Sequence, residues 1–279
     1  MNQNLKQQKP DRQEQEEPEN QEVKRISFSE FKNWKECPWR HKLIYLDKLP
    51  YFSANEYTAF GTAMHAACEE IMKSSDKEPL SVFNLSFLSQ LTEIKSSGKI
   101  LDSSLVRDMK EQASFLCKEI LPAVKSHFKE FKVISIEELL LEPISEFDSY
   151  ETNFKGFIDL VLRTEDGKYH IIDWKTCSWG WSTAKKADPT VNYQLTYYKN
   201  YFSKKHNINP ADIETYFILL KRTAKKEKVE VLRVTSGPRK VKNSLKVLQN
   251  AVINIERKNH IKNRLSCKYC KFHNTEYCT

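Results

Sequence analysis

The sequence predicts an α/β fold with the core order αβββαβ and a helical insertion behind the first core helix. Three observations lead there. Residues 154–163 and 169–175 are two apolar, strand-forming runs joined through Asp166-Gly167, a dipeptide suited to hairpin turns. Helix-period stretches stand on both sides of that hairpin, at 59–73 before it and 191–202 after it. A further apolar run, 213–220, follows the second helix closely enough to return to the same sheet.

The elements follow in order. Residues 1–25 are rich in Gln, Glu, Lys, Asn and Pro and nearly devoid of apolar side chains, so they are expected to be disordered. Ser27-Phe28-Ser29-Glu30 reads as a capping box that opens a short helix, with Pro38 ending it after Cys37. Residues 59–73 form a helix whose apolar stripe is Met64, Ala67, Cys68 and Ile71. Runs 80–91 and 105–131 are further helices of an insertion spanning about 76–131, with Pro122 expected to kink or break the second. The pattern then turns to strands at 133–141, 154–163 and 169–175. After the helix at 191–202 come strands at 213–220 and 229–234, a helix at 241–257 and a cysteine-bearing tail at 266–279. No internal repeat is present, and 26–279 is expected to be a single domain.

Composition narrows the function. Of the 279 residues, 39% are hydrophobic, enough for a core, and no apolar run reaches membrane-spanning length or resembles a signal peptide. An intracellular protein without membrane attachment is expected. The net charge of +8 and a pI near 8.9 suit a polyanionic partner. Basic clusters at Lys185-Lys186, Lys221-Arg222, Lys225-Lys226-Glu227-Lys228 and Arg239-Lys240 are either solvated faces or a phosphate-facing rim.

The hairpin carries the chemistry. Pairing its strands brings Asp159 and Asp173 together, and two adjacent carboxylates repel unless a cation lies between them. Lys175, two residues beyond Asp173, points to the same face. Acid pair, hard divalent metal and ammonium are what phosphodiester hydrolysis needs.

Four short motifs in this order resemble the PD-(D/E)XK nuclease superfamily, and more closely its RecB-like branch of CRISPR-associated adaptation nucleases and AddB-type recombination exonucleases. They are Gly61-Thr62-Ala63-Met64-His65 (G-x-x-x-H), Gly156-Phe157-Ile158-Asp159 (G-x-x-D), Asp173-Trp174-Lys175-Thr176 (D-x-K) and Gln194-Leu195-Thr196-Tyr197-Tyr198 (Q-x-x-x-Y). The resemblance spans nearly everything outside the tail and implies a restriction-endonuclease-like core. It further implies Mg2+ or Mn2+ held by His65, Asp159, Asp173 and the carbonyl of Trp174, with His65 otherwise read as a helix histidine facing a neighbour. Lys175 would position or deprotonate the attacking water, or neutralise the phosphate. Gln194 and Tyr198 share a helix face; the resemblance puts that face against the substrate backbone, and the alternative is a core tyrosine with a glutamine at its margin. Trp179 and Trp181 either stack on bases of a single strand or pack beneath the neighbouring helix.

Seven cysteines argue against a closed set of disulfides. Cys68, Cys117 and Cys177 sit in apolar contexts as ordinary thiols. Cys37-Pro38-Trp39-Arg40 looks like the branch's C-P-x-R segment, and Cys267, Cys270 and Cys278 resemble its carboxy-terminal triplet, which together hold a 4Fe–4S cluster. Zinc is the chemical alternative, with His273 as a substitute for Cys278 or the tail forming a knuckle alone. The resulting expectation is a metal-dependent deoxyribonuclease, an exonuclease of recombination, repair or replication, acting on single-stranded DNA or duplex ends. Without a phosphate-cradling G-x-x-x-x-G-K-[ST], a helicase or recombination partner would supply strands. Richness in Lys, Asn and Ile fits an AT-rich source such as a phage. The other classes are a catalytically silent DNA-binding adaptor of the same fold and an RNA-processing nuclease.

Overall fold

A computed structural model describes residues 24–51, 53–73, 75–144 and 151–279. The tail expected to be disordered lies outside them except for its last two positions, of which Arg25 already belongs to a strand.

Strand β1 (Arg25–Ser27) leads into α1 (Phe28–Glu36). Ser27 caps α1 by accepting from the Glu30 amide at 3.1 Å, as the capping box requires. The reciprocal half is missing, because the Glu30 carboxylate contacts His41 Nε2 at 2.9 Å instead. Pro38 does not stop helical structure. It opens α2 (Pro38–His41), where a missing N–H costs nothing, and a π-helical turn (Lys42–Leu46) continues it. The first core helix, α3 (Glu56–Lys73), starts one turn earlier than its apolar stripe indicates.

The insertion consists of α4 (Pro79–Ser96) and α5 (Ser103–Phe128). Here the expectation at Pro122 fails, since α5 runs through it unbroken. Ile120, Val124 and Phe128 lie buried on either side of the proline. The carbonyl deprived of its donor belongs to exposed Lys118, where water can satisfy it.

Next come β2 (Phe131–Pro143), β3 (Asn153–Thr164) and β4 (Tyr169–Cys177). The β3–β4 hairpin turns at Glu165-Asp166-Gly167, with the Gly167 amide donating to the Thr164 carbonyl at 3.0 Å. Gly167 has φ +83°, the left-handed conformation a glycine adopts without strain. Short α6 (Thr183–Ala187), α7 (Pro189–His206), β5 (Ile213–Lys221), β6 (Val229–Val234) and α8 (Pro238–Glu256) complete the order.

The sheet runs β1-β3-β4-β5-β6, with β2 along the outer edge of β3. Pairings β2–β3, β3–β4 and β5–β6 are antiparallel, whereas β1–β3 and β4–β5 are parallel. One face packs on α3, α4 and α5 through Met64, Phe83, Phe87, Leu116, Leu160, Leu162, Trp174 and Ile218. The other packs on α1, α7 and α8 through Phe31, Phe154, Val161, Ile171, Tyr197, Phe217 and Leu248. A third small cluster of Leu43, Phe272 and Cys278 joins the amino-terminal helices to the carboxy-terminal segment.

Candidate active site

The site lies where β3 loses its neighbour. On one edge of β3, β1 pairs with residues 153–155 and β4 pairs with residues 160–163. Between these two partners lie Gly156, Phe157, Ile158 and Asp159, the whole G-x-x-D segment. The β3–β4 ladder ends at Leu160–Ile172, so Asp159 and Asp173 stand one residue beyond it, at the mouth of a fork. The Tyr198 ring fills part of the gap. A Cβ on Gly156 would lie 2.7 Å from Tyr198 Cε1, so this position needs a glycine because the helix α7 side chain occupies the space.

A paired irregularity aims the acids. On β3, Ile158 and Val161 both join the α1/α7/α8 layer, while Leu160 and Leu162 join the other, so strict alternation lapses at Asp159. On β2, opposite Asp159, Glu137 has φ +52°, an uncommon conformation for a glutamate. The two lapses cancel in register, since Ile136–Leu160 and Glu138–Ile158 pair on either side. Their effect is to turn Glu137 and Asp159 toward His65 on α3. One ligand atom from each of these three residues lies within 4.8 Å of the others. His65 Nδ1 is 3.5 Å from Asp159 Oδ2.

The D-x-K strand closes the other side. Asp159 Oδ2 accepts the Trp174 amide at 2.7 Å. The N–H and C=O of one strand residue leave on the same edge, so the Trp174 carbonyl also faces the fork, while its indole is buried in the α3–α5 layer. Asp173 Oδ1 accepts from Gln194 Nε2 at 2.7 Å, and the same Gln194 nitrogen lies 3.2 Å from Tyr198 Oη. Asp173 Oδ2 lies 2.5 Å from Lys175 Nζ but takes no well-aligned hydrogen bond, and it is buried.

Electrostatics match a cation site. Burial pushes the Asp159 carboxyl well above its ordinary value, and the Asp173 charge adds to that. Burial also raises Glu137, helped by Glu69 and Asp173. His65 is lowered by burial, which favours the neutral ligand form of the ring. Tyr198 is raised by burial and then by Asp173, so it is a neutral hydroxyl. The residues present therefore fit a hard divalent ion, with buried Asp159 and Asp173, an exposed Glu137 beside them, one neutral imidazole and an underbonded carboxylate oxygen.

Placement of the expected residues is uneven. His65 and Asp159 come together and Trp174 joins them through its backbone. Among the described residues, Asp173 stands outside the compact three-residue group, with both oxygens turned to Gln194 and Lys175. Gln194 reaches Asp173 and the Tyr198 hydroxyl, while the Tyr198 ring is buried in the α1/α7/α8 core. Glu137 is the acid of this group that sequence reasoning missed, because nothing singles it out from its neighbours in a run that reads as an ordinary strand.

One surface expectation is corrected. Lys221 and Arg222 are not part of an exposed rim. Lys221 is buried against Glu230 at 3.3 Å, and buried Arg222 donates to Gln112 Oε1 at 2.7 Å. The two tryptophans divide between the readings: Trp181 packs on Phe217 with ring centroids 5.1 Å apart, while Trp179 is 78% exposed.

At the other end of the molecule, Cys37, Cys267, Cys270 and Cys278 all line one small cavity, together with Trp39 and Arg40. All four are free thiols. The Asn263 amide points at Cys37 Sγ at 3.4 Å, a contact that suits a thiolate ligand. His273 is exposed, whereas Cys278 is buried against the cavity. The four cysteines thus gather at one cavity where the two ends of the fold meet. Among the described residues, no helix is long and apolar enough to cross a membrane.

Comparison with known proteins agrees with this geometry. A structure from Eubacterium rectale carrying the name "putative exonuclease" superposes with a TM-score of 0.55 at 11% identity, covering 91% of this chain and 89% of that one, which shows a shared fold. The structure of SSO0001 matches with a TM-score of 0.37 and 14% identity over 88% and 93% of the two chains, too low to argue from. A search of curated proteins finds no match. The description of the PD-(D/E)XK nuclease superfamily matches residues 25–275. Fork, acids and D-x-K strand lie inside that span, and the chain belongs to the PD-(D/E)XK nuclease superfamily.

Proposed function

We propose that this protein is a divalent-metal-dependent deoxyribonuclease, acting as an exonuclease on DNA in recombination, repair or replication. The observation that carries the reading is the fork: His65, Glu137 and Asp159 converge beside a D-x-K strand whose lysine reaches the same opening. His65, Asp159, Asp173 and the Trp174 carbonyl would hold Mg2+ or Mn2+, with Glu137 as a further acid. The ion would supply Lewis-acid charge against the negative charge that develops on the phosphate.

The chain's own residues do the rest. Lys175, half-buried and ion-paired with Asp173, would as an ammonium orient the attacking water or neutralise the phosphate. Gln194 holds Asp173 through Oδ1 and links it to Tyr198, so α7 fixes the carboxylate's rotamer. The neutral Tyr198 hydroxyl can donate to a phosphate oxygen. We further assign a 4Fe–4S cluster to Cys37, Cys267, Cys270 and Cys278 as a structural clamp. A helicase or recombination partner is the expected source of DNA strands.

The test is cleavage of end-labelled and circular DNA by purified protein with Mg2+ or Mn2+. Labelled mononucleotides or short products from linear DNA, with circles untouched, are expected. Cleaved circles would refute exonuclease action. An inert wild type would refute the nuclease assignment itself.

A further inference from the structure

Beyond the metal group, the unpaired edge of β4 continues from Asp173 to Cys177, because β3 pairs only with residues 169–172. Helix α3 runs along this stretch in matched steps. His65 lies by Trp174, a Cβ on Gly61 would lie 3.4 Å from Thr176 Oγ1, and Tyr57 reaches Ser178 through Arg222. Four helical residues advance about 6 Å and two strand residues about 6.7 Å. Tyr57, Gly61 and His65 therefore form a row along β4 that leaves the site and ends, about 12 Å away, at Tyr57 and the loop after β4.

That loop is held rigidly. The Ser178 carbonyl accepts both the Thr223 amide at 2.8 Å and its hydroxyl at 3.0 Å, and the Arg222 amide donates to the Cys177 carbonyl at 2.8 Å. Gly180 has φ +127°, which only glycine adopts readily. On this loop Trp179 is 78% exposed, and Tyr57 on α3 is 54% exposed. The Arg222 guanidinium lies 5.2 Å from the Tyr57 ring centroid and 3.4 Å from Ser178 Oγ, which brings Tyr57 to the residue next to Trp179. A core has no use for a tryptophan offered to water on a fixed loop. A flat, sequence-tolerant ligand does.

We propose that Trp179 and Tyr57 form a base-stacking station for single-stranded DNA, whose backbone follows the free edge of β4 while the scissile phosphate lies at the His65–Asp159 fork. This rests on the nuclease reading and names its substrate form. Trp181 takes no part, being packed on Phe217 and beneath Lys185. Stacking makes the preference depend on bases being unpaired and not on their identity.

The test is binding of wild type, Trp179→Ala, Tyr57→Ala and Trp181→Ala to fluorescein-labelled single strands and duplexes of one length, in EDTA so that nothing is cut. Trp179→Ala and Tyr57→Ala should each weaken single-strand binding about 5- to 150-fold and leave duplex binding within twofold. Trp179→Phe should restore most of the loss. A strand with abasic sites should bind wild type and Trp179→Ala alike. Unchanged single-strand affinity in both alanine variants, or equal losses on single strand and duplex, would overturn the station. Trp181→Ala should lower the melting temperature without altering this preference. If wild type cleaves DNA with Mn2+ but these affinities do not move, the station alone is wrong. If wild type cleaves no DNA, the nuclease reading fails whatever the affinities show.

Discussion

Replacing Gly156 with alanine tests how the fork is built, because the added methyl has nowhere to go. It would lie 2.7 Å from Tyr198 Cε1 and 3.2 Å from Phe154 Cε1. Neither ring can yield easily: Phe154 stacks on Tyr201 with centroids 4.6 Å apart and a 9° tilt, and Tyr198 is wedged in the gap in β3 pairing. Overpacking of this kind costs about 1–3 kcal/mol. For a domain of this size that lowers the melting temperature by roughly 2–10 °C. The catalytic loss should be larger than the stability loss. A displaced Tyr198 releases Gln194, and Gln194 is what holds Asp173 Oδ1. Urea denaturation and a single-turnover cleavage assay at saturating Mn2+, run well below the melting temperature, separate the two effects. In a double-mutant cycle Gly156→Ala should cost less stability in the Tyr198→Ala background than in wild type, because the steric conflict is gone, although Tyr198→Ala itself opens a cavity in the core and does not restore cleavage. Full stability and activity in Gly156→Ala would show that the ring has freedom to move and that the Gly156–Tyr198 contact does not shape the site.

Asp173→Ala and Lys175→Ala should each abolish metal-dependent cleavage while leaving DNA affinity in EDTA nearly unchanged; parallel loss of both would make them fold residues. Glu137→Gln should raise the Mn2+ concentration for half-maximal cleavage about 10–100-fold, and an unchanged requirement would remove Glu137 from the metal's surroundings. Because the Asp159 carboxyl is raised in the fold, its favourable contribution is complete below its unfolded value of about 4 and is lost as pH rises through the folded value. Metal-free Asp159→Asn should therefore melt higher than wild type at pH 8 but not at pH 3.5, and equal differences at both would refute the burial argument. Cys37→Ser should remove iron and sulfide, and opening a closure of about 230 residues should cost roughly 5 kcal/mol before strain is deducted; a variant still fully metallated would place the metal in the tail alone.

Asp159, Asp173 and Lys175 were legible because a short hairpin fixes their mutual placement through local pairing alone. His65, Gln194 and Tyr198 were legible only as spaced motifs, since nothing local says which neighbour a helix face meets. Glu137 was hidden by its backbone: a glutamate at φ +52° inside a strand has no composition signal, and its direction depends on a matching lapse in the next strand. Strand β1, three residues long, is too short for periodicity and exists because β3 leaves an edge free. Helix α5 persists through Pro122 because packing on both sides of the proline outweighs one lost hydrogen bond. Lys221 and Arg222 look like surface charge in the sequence, yet Glu230 and Gln112, 9 and 110 residues away, give them buried partners.

The joining of the two ends sets an order of events during synthesis. Asn263 Nδ2 and Ser266 Oγ both donate to the Glu36 carbonyl, at 2.8 and 2.7 Å, and Trp39 Nε1 donates to the Tyr277 carbonyl at 3.0 Å. Residues 36 and 266 are 230 positions apart, so at about 5–20 residues per second a ribosome needs roughly 10–45 s to travel between them. Through that interval α1 and α2 are made but lack their closing partners, and Cys37 waits as a thiol without the other three. These end-to-end hydrogen bonds can form only after the sheet and all the larger helices have been translated. A chain stopped between residues 198 and 261 carries every acid of the fork and none of these closing contacts, which lets proteolysis distinguish an aborted product from a finished one while both hold the same acids.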